Sequence, residues 1–375
     1  MPALHLTIKP VSSNCNLRCK YCFYHDLSYC RETPSRGLMP ASNLETIMRK
    51  AFDYADGSLI TVSFQGGEPL LAGKEFYRTF SSLISTLNTK RSVVHVAIQT
   101  NGVLIDEEWC EIFLKNRYLV GVSIDGDAVT NILRLDTKGN DTFDRTYSAL
   151  KLLQSKKIDF NVVTVVTKPV ANNVSRVYSF FRKNRFKNLH FIPCLKPMGT
   201  HPVDTPEDFY QYGDTEEIAD IEDFYINARD YEDFLKKTFS LYMRDCIDGR
   251  GTSIRLFDNF IRLAHSQKAE MCGMNGHCTP QFTIEADGEV FPCELYCRDE
   301  YSLGNIYETD FESLENNPKA KAFIEESMGI EEKCKDCTYY RLCRNGCKRE
   351  RISLDKCTAY KNFFPYALPH LKRMR

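Results

Sequence analysis

Short runs of β-branched and aromatic residues alternate with stretches of helical periodicity through the first half of the chain. Strands are expected at Leu4–Lys9, Leu59–Phe64, Val93–Gln99, Leu119–Ile124, Phe160–Val166 and Leu189–Pro193. Helices are expected between them: from Ser42, which can cap it, to Ala55, then Lys74–Leu87, Asp106–Asn116, Phe143–Lys156 and Asn172–Asn184. Alternation of this kind predicts parallel strands covered by helices, an α/β fold. Six units make a partial (βα)6 barrel; a closed barrel needs two more strands, which the pattern does not supply. Such folds carry their sites in the loops after the strands. The unusual motifs fall there: Cys15, Cys19 and Cys22 after the first, Gln65-Gly66-Gly67-Glu68-Pro69 after the second, Gln99-Thr100-Asn101-Gly102 after the third and Ser123-Ile124-Asp125-Gly126 after the fourth. From Asp204 to Asp233 twelve of thirty residues are acidic, which reads as a solvated insertion, with a segment that contacts a basic partner or substrate as the alternative. Helices at Tyr231–Cys246 and around Asp258–His265 then lead to a cysteine-rich region with few helical signals. The expected division is a barrel over 1–230, a helical linker over 231–270 and a third part over 271–375.

Composition narrows the class. The 375 residues are 43% hydrophobic and 26% charged, as in a folded globular protein, and the net charge of −1 excludes a globally basic nucleic-acid binder. No apolar run reaches the length of a membrane span, and Met1-Pro2-Ala3-Leu4-His5 has no charged and apolar leader. A cytoplasmic protein with no membrane or nucleic-acid partner is expected. In that compartment thiols stay reduced, so the sixteen cysteines point to metal more than to disulfides.

The cysteines form two groups. Cys15-x3-Cys19-x2-Cys22 offers three thiolates within eight residues. Three thiolates can hold three irons of a [4Fe–4S] cluster and leave the fourth iron open. A zinc knuckle with His25 as fourth ligand is the alternative. Further on stand Cys272, Cys278 and Cys293, then Cys334, Cys337, Cys343, Cys347 and Cys357, enough for two complete four-cysteine sites of zinc or iron–sulfur type. The remaining Cys30, Cys110, Cys194, Cys246 and Cys297 are expected to behave as small buried hydrophobes.

Cys15-x3-Cys19-x-Tyr21-Cys22 followed by Gly66-Gly67-Glu68-Pro69 resembles the radical S-adenosylmethionine (SAM) superfamily. The resemblance implies a TIM-type radical SAM barrel in which SAM binds the open iron and is cleaved to a 5′-deoxyadenosyl radical. It implies that Gly66, Gly67 and Glu68 approach the methionine end of SAM. Tyr21 and Leu195 would lie at the adenosyl moiety, Ser123 at the ribose and Arg134 at the carboxylate. The second group resembles the SPASM extension, which implies that Cys272, Cys278, Cys293 and Cys347 hold one auxiliary [4Fe–4S] cluster and Cys334, Cys337, Cys343 and Cys357 another, three clusters in all.

Within that class, Ile8-Lys9-Pro10, Cys22-Phe23-Tyr24-His25, Cys272-Gly273-Met274-Asn275-Gly276 and Phe291-Pro292-Cys293 resemble the anaerobic sulfatase-maturating enzymes. These oxidise a cysteine or serine of a sulfatase to Cα-formylglycine: a Cβ hydrogen is removed, a carboxylate takes the thiol or hydroxyl proton, and an auxiliary cluster accepts an electron. The family's base is an aspartate immediately after the third cysteine of auxiliary site I; here that residue is Glu294. Tyr24 and Gln65 are expected at the peptide substrate, and an electron donor such as flavodoxin or ferredoxin as a partner. The alternative enzyme is a maturase forming thioether or carbon–carbon cross-links in a ribosomal peptide. Many of those carry an N-terminal peptide-recognition domain, and a first strand at Leu4 favours sulfatase maturation. An iron–sulfur electron carrier or zinc-ribbon binding module is the reading from another class.

Overall fold

A computed structural model of the chain describes residues 3–198, 224–279 and 281–374. Among these, the strands in chain order are β1 (Leu4–Ile8), β2 (Ile60–Phe64), β3 (Val94–Thr100), β4 (Leu119–Ser123), β5 (Phe160–Val166), β6 (Asn188–Pro193), β7 (Ser253–Ile254), β8 (Phe282–Ile284), β9 (Glu289–Phe291) and β10 (Gly304–Asn305). The six expected strands are all present. The two further parallel strands, β7 and β8, are two and three residues long, too short for an alternating pattern to betray them.

The chain divides into two compact units. The first gathers residues 1–123, 134–160 and 279–324. Its strands lie in the order β10-β9-β8-β1-β2-β3-β4. β1 runs parallel to β2 on one side, Leu4 opposite Ile60, and parallel to β8 on the other, Leu6 opposite Phe282. Its helices are α1 (Phe23–Tyr29), α2 (Ala41–Ala55), α3 (Lys74–Leu87), α4 (Glu107–Lys115) and α5 (Phe143–Ser155), with a short helix at Phe311–Glu315. In α2, Leu44, Ile47, Met48, Ala51, Phe52 and Ala55 recur at three- and four-residue spacing and are all buried. Asp56, left-handed at φ 44°, stops it. Ser42 does not cap this helix. It starts one residue earlier, at Ala41 after Pro40, and no side chain caps it. Phe64 at the end of β2 meets Phe76, Tyr77 and Phe80 of α3 edge-on, at 4.9–6.2 Å. Each such buried ring contributes about 1.5–3 kcal/mol of hydrophobic stabilisation.

The second unit gathers residues 124–133, 161–278 and 325–375, with β5, β6 and β7 side by side and parallel. The expected helix Asn172–Asn184 is two helices, α6 (Lys168–Asn172) and α7 (Val174–Lys183). The break falls at Asn173, whose side-chain amide donates back to the Pro169 carbonyl at 2.9 Å. α8 (Ala228–Ile247) begins three residues before the expected start, because Asn227 and Asp230 form a capping box. Of the acidic segment, residues 204–223 lie outside the described residues. Its end is not wholly solvated, since Phe224 and Ile226 are buried. α9 (Arg255–Ala264) follows. The cysteine-rich part is more helical than its sequence pattern suggests. Lys356–Leu371 is a helix despite Pro365 and Pro369, and it buries Tyr360, Phe363, Phe364 and Leu371. Its Phe363 ring packs edge-on against Phe239 of α8 at 5.6 Å. The prolines hide it from a propensity reading.

Candidate active site

The loop after β1 carries the first three cysteines. Its backbone is pinned on both flanks: Arg18 N–H donates to the Leu135 carbonyl at 2.7 Å, and Cys22 N–H to the Cys19 carbonyl at 3.1 Å. Cys22 is the residue before α1, so Tyr24 and His25 project from that helix's first turn. Burial pushes the Cys15 thiol up to about 12, helped by the carboxylate of Glu68 and by the neighbouring Cys22 and Cys19. Burial likewise raises Cys22, against backbone N–H donors from Tyr24 and His25 and the charge of Arg134. Cys15 thus feels the charges of both Cys19 and Cys22. Among the described residues no three Cys, His, Asp or Glu gather about a single point, and no cysteine is in a disulfide. Burial and the nearby Arg18 lower His25 to about 4.

The Gly66-Gly67-Glu68 loop is fitted directly onto the cysteine loop. Gly67 N–H donates to the Ser12 carbonyl at 3.0 Å and Glu68 N–H to the Asn14 carbonyl at 2.8 Å. A Cβ on Gly66, which sits at φ +112°, would meet the Ser12 carbonyl oxygen at 2.6 Å; one on Gly67 would meet that of Asn14 at 2.0 Å. The close approach these glycines permit is therefore to residues 12–14. The Glu68 carboxylate is fully buried and accepts from Thr100 Oγ1 at 2.7 Å, Asn101 N–H at 2.8 Å and Leu70 N–H at 3.0 Å. Burial pushes it up to about 7, against these donors. Its oxygens tie the loops after β2 and β3 together.

Ser123, at the end of β4, accepts from Gln99 Nε2 at 2.9 Å. Arg134 is buried and donates from Nη1 to the Tyr21 hydroxyl at 2.8 Å. Gln65 is half-buried, directly after β2. Glu294 follows Cys293 at the end of the β8–β9 hairpin, and the Tyr24 hydroxyl donates to its Oε2 at 3.0 Å. Burial raises the Glu294 carboxyl, while the Tyr24 hydroxyl and Lys9 pull it back. Two sequence-distant predictions, Tyr24 and Glu294, are thereby joined.

Sequence reasoning missed three groups beside that pair. Lys9, Arg31 and Glu285 are buried together, with Arg31 Nη1 2.6 Å from Glu285 Oε1 and Lys9 Nζ on the same oxygen. Burial alone would raise Glu285, but the two cations bring it down to about 2. Asn101 stands in the motif noted after the third strand, where the sequence assigns it no role. Its Nδ2 donates to Asn16 Oδ1 at 2.8 Å inside the cysteine loop, and its carbonyl accepts from Thr146 Oγ1 at 3.0 Å. The only hint in the sequence was position, each of Lys9 and Asn101 standing just past a strand.

In the second unit, Leu195 is half-buried just past β6. The cysteines there separate into two neighbourhoods. Cys343 feels the charges of Cys357 and Cys334, and burial pushes it up to about 11. Cys347, raised to about 12 by burial, feels Cys272, and a Cβ on the adjacent Gly273 would stand 3.1 Å from Cys347 Cβ. Between Cys343 and Cys347 the backbone passes through three left-handed residues, Arg344, Asn345 and Gly346, at φ 48°, 66° and 67°. Asn345 Nδ2 holds this turn to the Gly329 carbonyl at 2.8 Å. Cys278 N–H donates to Ser327 Oγ at 2.7 Å. Of the five cysteines left over, Cys110, Cys194 and Cys297 are buried as expected. Cys246 is exposed, in the last turn of α8 next to the 78%-exposed Ile247, and Cys30 is half-buried.

Residues 10–173 match the radical SAM superfamily, and residues 276–338 match the SPASM iron–sulfur cluster-binding domain. Parallel strands with three cysteines in the first loop, together with these two matches, thus define a radical SAM enzyme with a SPASM domain. The chain is 40% identical over 373 residues to a cysteine-type anaerobic sulfatase-maturating enzyme of Clostridium novyi, covering 97% of this chain and 95% of that one. It is 25% identical to a serine-type anaerobic sulfatase-maturating enzyme of Bacteroides thetaiotaomicron, covering 99% and 91%. The solved structure of native anSMEcpe with bound AdoMet and Cp18Cys peptide matches with a TM-score of 0.88 at 38% identity, covering 99% of this chain and 98% of that one. The chain belongs to the family of anaerobic sulfatase-maturating enzymes.

Proposed function

We propose that this chain oxidises a cysteine side chain in a sulfatase polypeptide to Cα-formylglycine. The observation that carries the chemical reading is the Tyr24–Glu294 hydrogen bond, which holds a carboxylate beside the first turn of the helix that Cys22 opens. Cysteine is preferred to serine as substrate because the cysteine-type relative is 40% identical and the serine-type one 25%.

Cys15, Cys19 and Cys22 are the ligands of a [4Fe–4S] cluster that binds SAM. The fit rests on three thiols carried by one loop, with Cys15 feeling the charges of Cys19 and Cys22, and on the glycine loop, whose Cβ-free backbone lies against residues 12–14. When bound, this pair supplies a 5′-deoxyadenosyl radical that takes a hydrogen atom from the substrate Cβ. Glu294 accepts the thiol proton, held for that purpose by the Tyr24 hydroxyl; an auxiliary cluster, when bound, would supply the acceptor for the remaining electron. Water would replace the sulfur of the resulting thioaldehyde, and that sulfur leaves as hydrogen sulfide. Gln65 orients the peptide. Arg134 binds the SAM carboxylate and is aimed by Tyr21; Ser123 and Leu195 contact the nucleoside; Gly66, Gly67 and Glu68 shape the methionine end.

In the second unit, the Cys343–Cys357–Cys334 neighbourhood supports an auxiliary cluster with Cys337 as fourth ligand. The Cys347–Cys272 neighbourhood supports the crossed order, in which Cys347 serves the other auxiliary cluster; Cys278 and Cys293 complete that set on the strength of the sequence resemblance. A flavodoxin or ferredoxin supplies electrons in a reducing cytoplasm.

The test is anaerobic turnover of reconstituted enzyme with SAM, a reductant and paired peptides carrying Cys-x-Pro-x-Arg or Ser-x-Pro-x-Arg. An aldehyde on the cysteine peptide is expected, trapped by a hydrazine and located by mass spectrometry, with the serine peptide at least about tenfold slower. SAM cleavage with both peptides unchanged sinks the substrate assignment. A separate expectation concerns SAM itself. Tyr21→Phe takes away the acceptor for Arg134 and should weaken SAM binding about tenfold, about 1.4 kcal/mol, by equilibrium dialysis. Unchanged affinity removes Tyr21 from that role.

A further inference from the structure

The groups gathered behind the Tyr24–Glu294 pair are unusual for a protein interior. Lys9, at the C-terminal end of β1, is 0% exposed, as is Glu285, just past β8. Lys9 Nζ and Arg31 Nη1 both converge on Glu285 Oε1, while Glu285 Oε2 is buried without a partner. Arg31 alone would neutralise Glu285. The second cation is therefore surplus to that pair, and a surplus buried charge is costly unless another group answers it.

The group that answers it lies on the other side of Lys9. Its ammonium stands 5.2 Å from the centre of the Tyr24 ring, within cation–π range. The same Tyr24 donates to Glu294 at 3.0 Å. Lys9 thus meets both a buried anion, Glu285, and the ring whose hydroxyl holds Glu294. Two cations and two carboxylates balance within the group.

We propose that Lys9 is a positioning residue for substrate oxidation: pinned by Glu285, it fixes the Tyr24 ring and through it the direction in which Glu294 faces the peptide. The assignment rests on the function proposed for Glu294. Lys9 touches neither peptide nor SAM in this reading. Its effect reaches the reaction only through Tyr24 and Glu294, and Arg31 keeps Glu285 in place when Lys9 is absent.

Lys9→Met tests this, because it leaves Arg31 and Glu285 as a balanced pair and nearly preserves side-chain volume. The reconstituted enzyme is expected to keep its iron content and SAM affinity. Aldehyde formed per 5′-deoxyadenosine should fall at least about tenfold, with kcat falling more than KM for the peptide. Lys9→Arg should restore part of the coupling. In a double-mutant cycle, Lys9→Met should add little to the loss caused by Glu294→Gln, since residues acting as one unit are not additive. A 3-fluorotyrosine at position 24 should give one narrow ¹⁹F line in the parent enzyme and a shifted or split line in Lys9→Met.

Multiplicative losses in the cycle, or falls in iron and melting temperature that track activity, would make Lys9 a brace of the sheet and overturn the proposal. An unchanged ¹⁹F line overturns it as well. If Lys9→Met does not fold, Lys9→Arg displaces the cation and must itself move the line. Should the parent enzyme fail to oxidise the sulfatase peptide, the function proposed above falls. The ¹⁹F comparison still decides whether Lys9 orders Tyr24.

Discussion

Glu294→Gln is expected to retain its full iron content and to cleave SAM, yet to form formylglycine about 10²–10⁴-fold more slowly, the usual range for loss of a general base. The substitution suits the question because glutamine has the same shape and its amide oxygen can still accept from the Tyr24 hydroxyl, now 3.0 Å from Glu294 Oε2. Geometry is kept and proton affinity is lost. Mass spectrometry of the trapped aldehyde, with 5′-deoxyadenosine measured in the same sample, separates the two steps. Full turnover in this variant removes Glu294 from the chemistry; loss of iron makes its role structural.

Glu294→Asp sharpens the point. The resembling enzymes carry aspartate at this position, one methylene shorter, so the carboxylate withdraws by about 1.5 Å. Here the Tyr24 hydroxyl meets the longer side chain. The aspartate variant is therefore expected to be slower, by about a hundredfold for a displacement of this size. Wild-type speed would mean that the pocket accepts either length.

The second large effect is expected from a single methyl group. Gly67→Ala places a Cβ 2.0 Å from the Asn14 carbonyl oxygen, and that oxygen belongs to backbone rather than to a side chain that can swing aside. The loop bearing Cys15 must move, and with it one corner of the first thiol triad. Purified anaerobically, this variant should lose about a third of its iron, the share of one of three equal clusters, and should cleave no SAM. The auxiliary signals should survive in its electron paramagnetic resonance spectrum. Gly329→Ala is the control, since a Cβ there meets only the Glu326 carbonyl, at an ordinary 3.7 Å. Full SAM cleavage by Gly67→Ala would show that the two loops part without harm.

The parts of this molecule visible in its sequence are those whose signal is local. Six strands announce themselves by alternation, and the thiol triad by spacing within a single loop. The tie between Tyr24 and Glu294 was half visible, because each residue stands beside a cysteine motif while their contact spans 270 positions. Lys9 and Glu285 were invisible for the same reason, being 276 positions apart. A lysine after a strand is most often solvated, and only the tertiary fold buries it. The glycine pair was expected to approach the methionine end of SAM; the surface it approaches in the structure is residues 12–14, which no spacing rule names. The C-terminal helix was masked by its own prolines. Asn173 broke a helix that periodicity joined, because its side-chain amide competes for a backbone carbonyl.

The position of β1 bears on how the protein is made. One of this strand's neighbours, β2, follows it from the ribosome after some fifty residues. Its other neighbour, β8, arrives only with residues 282–284. Until then β1 has an open edge, and an open edge is a template for pairing with other chains. Lys9 meanwhile has no Glu285 to bury against. Everything between β1 and β8 must therefore be synthesised before the loop carrying the first three cysteines is braced on both sides. Iron delivered early would reach a loop not yet held in place. Contacts this distant in sequence also slow folding, so nascent chains released before residue 285 should be the species that a chaperone, or an aggregate, collects.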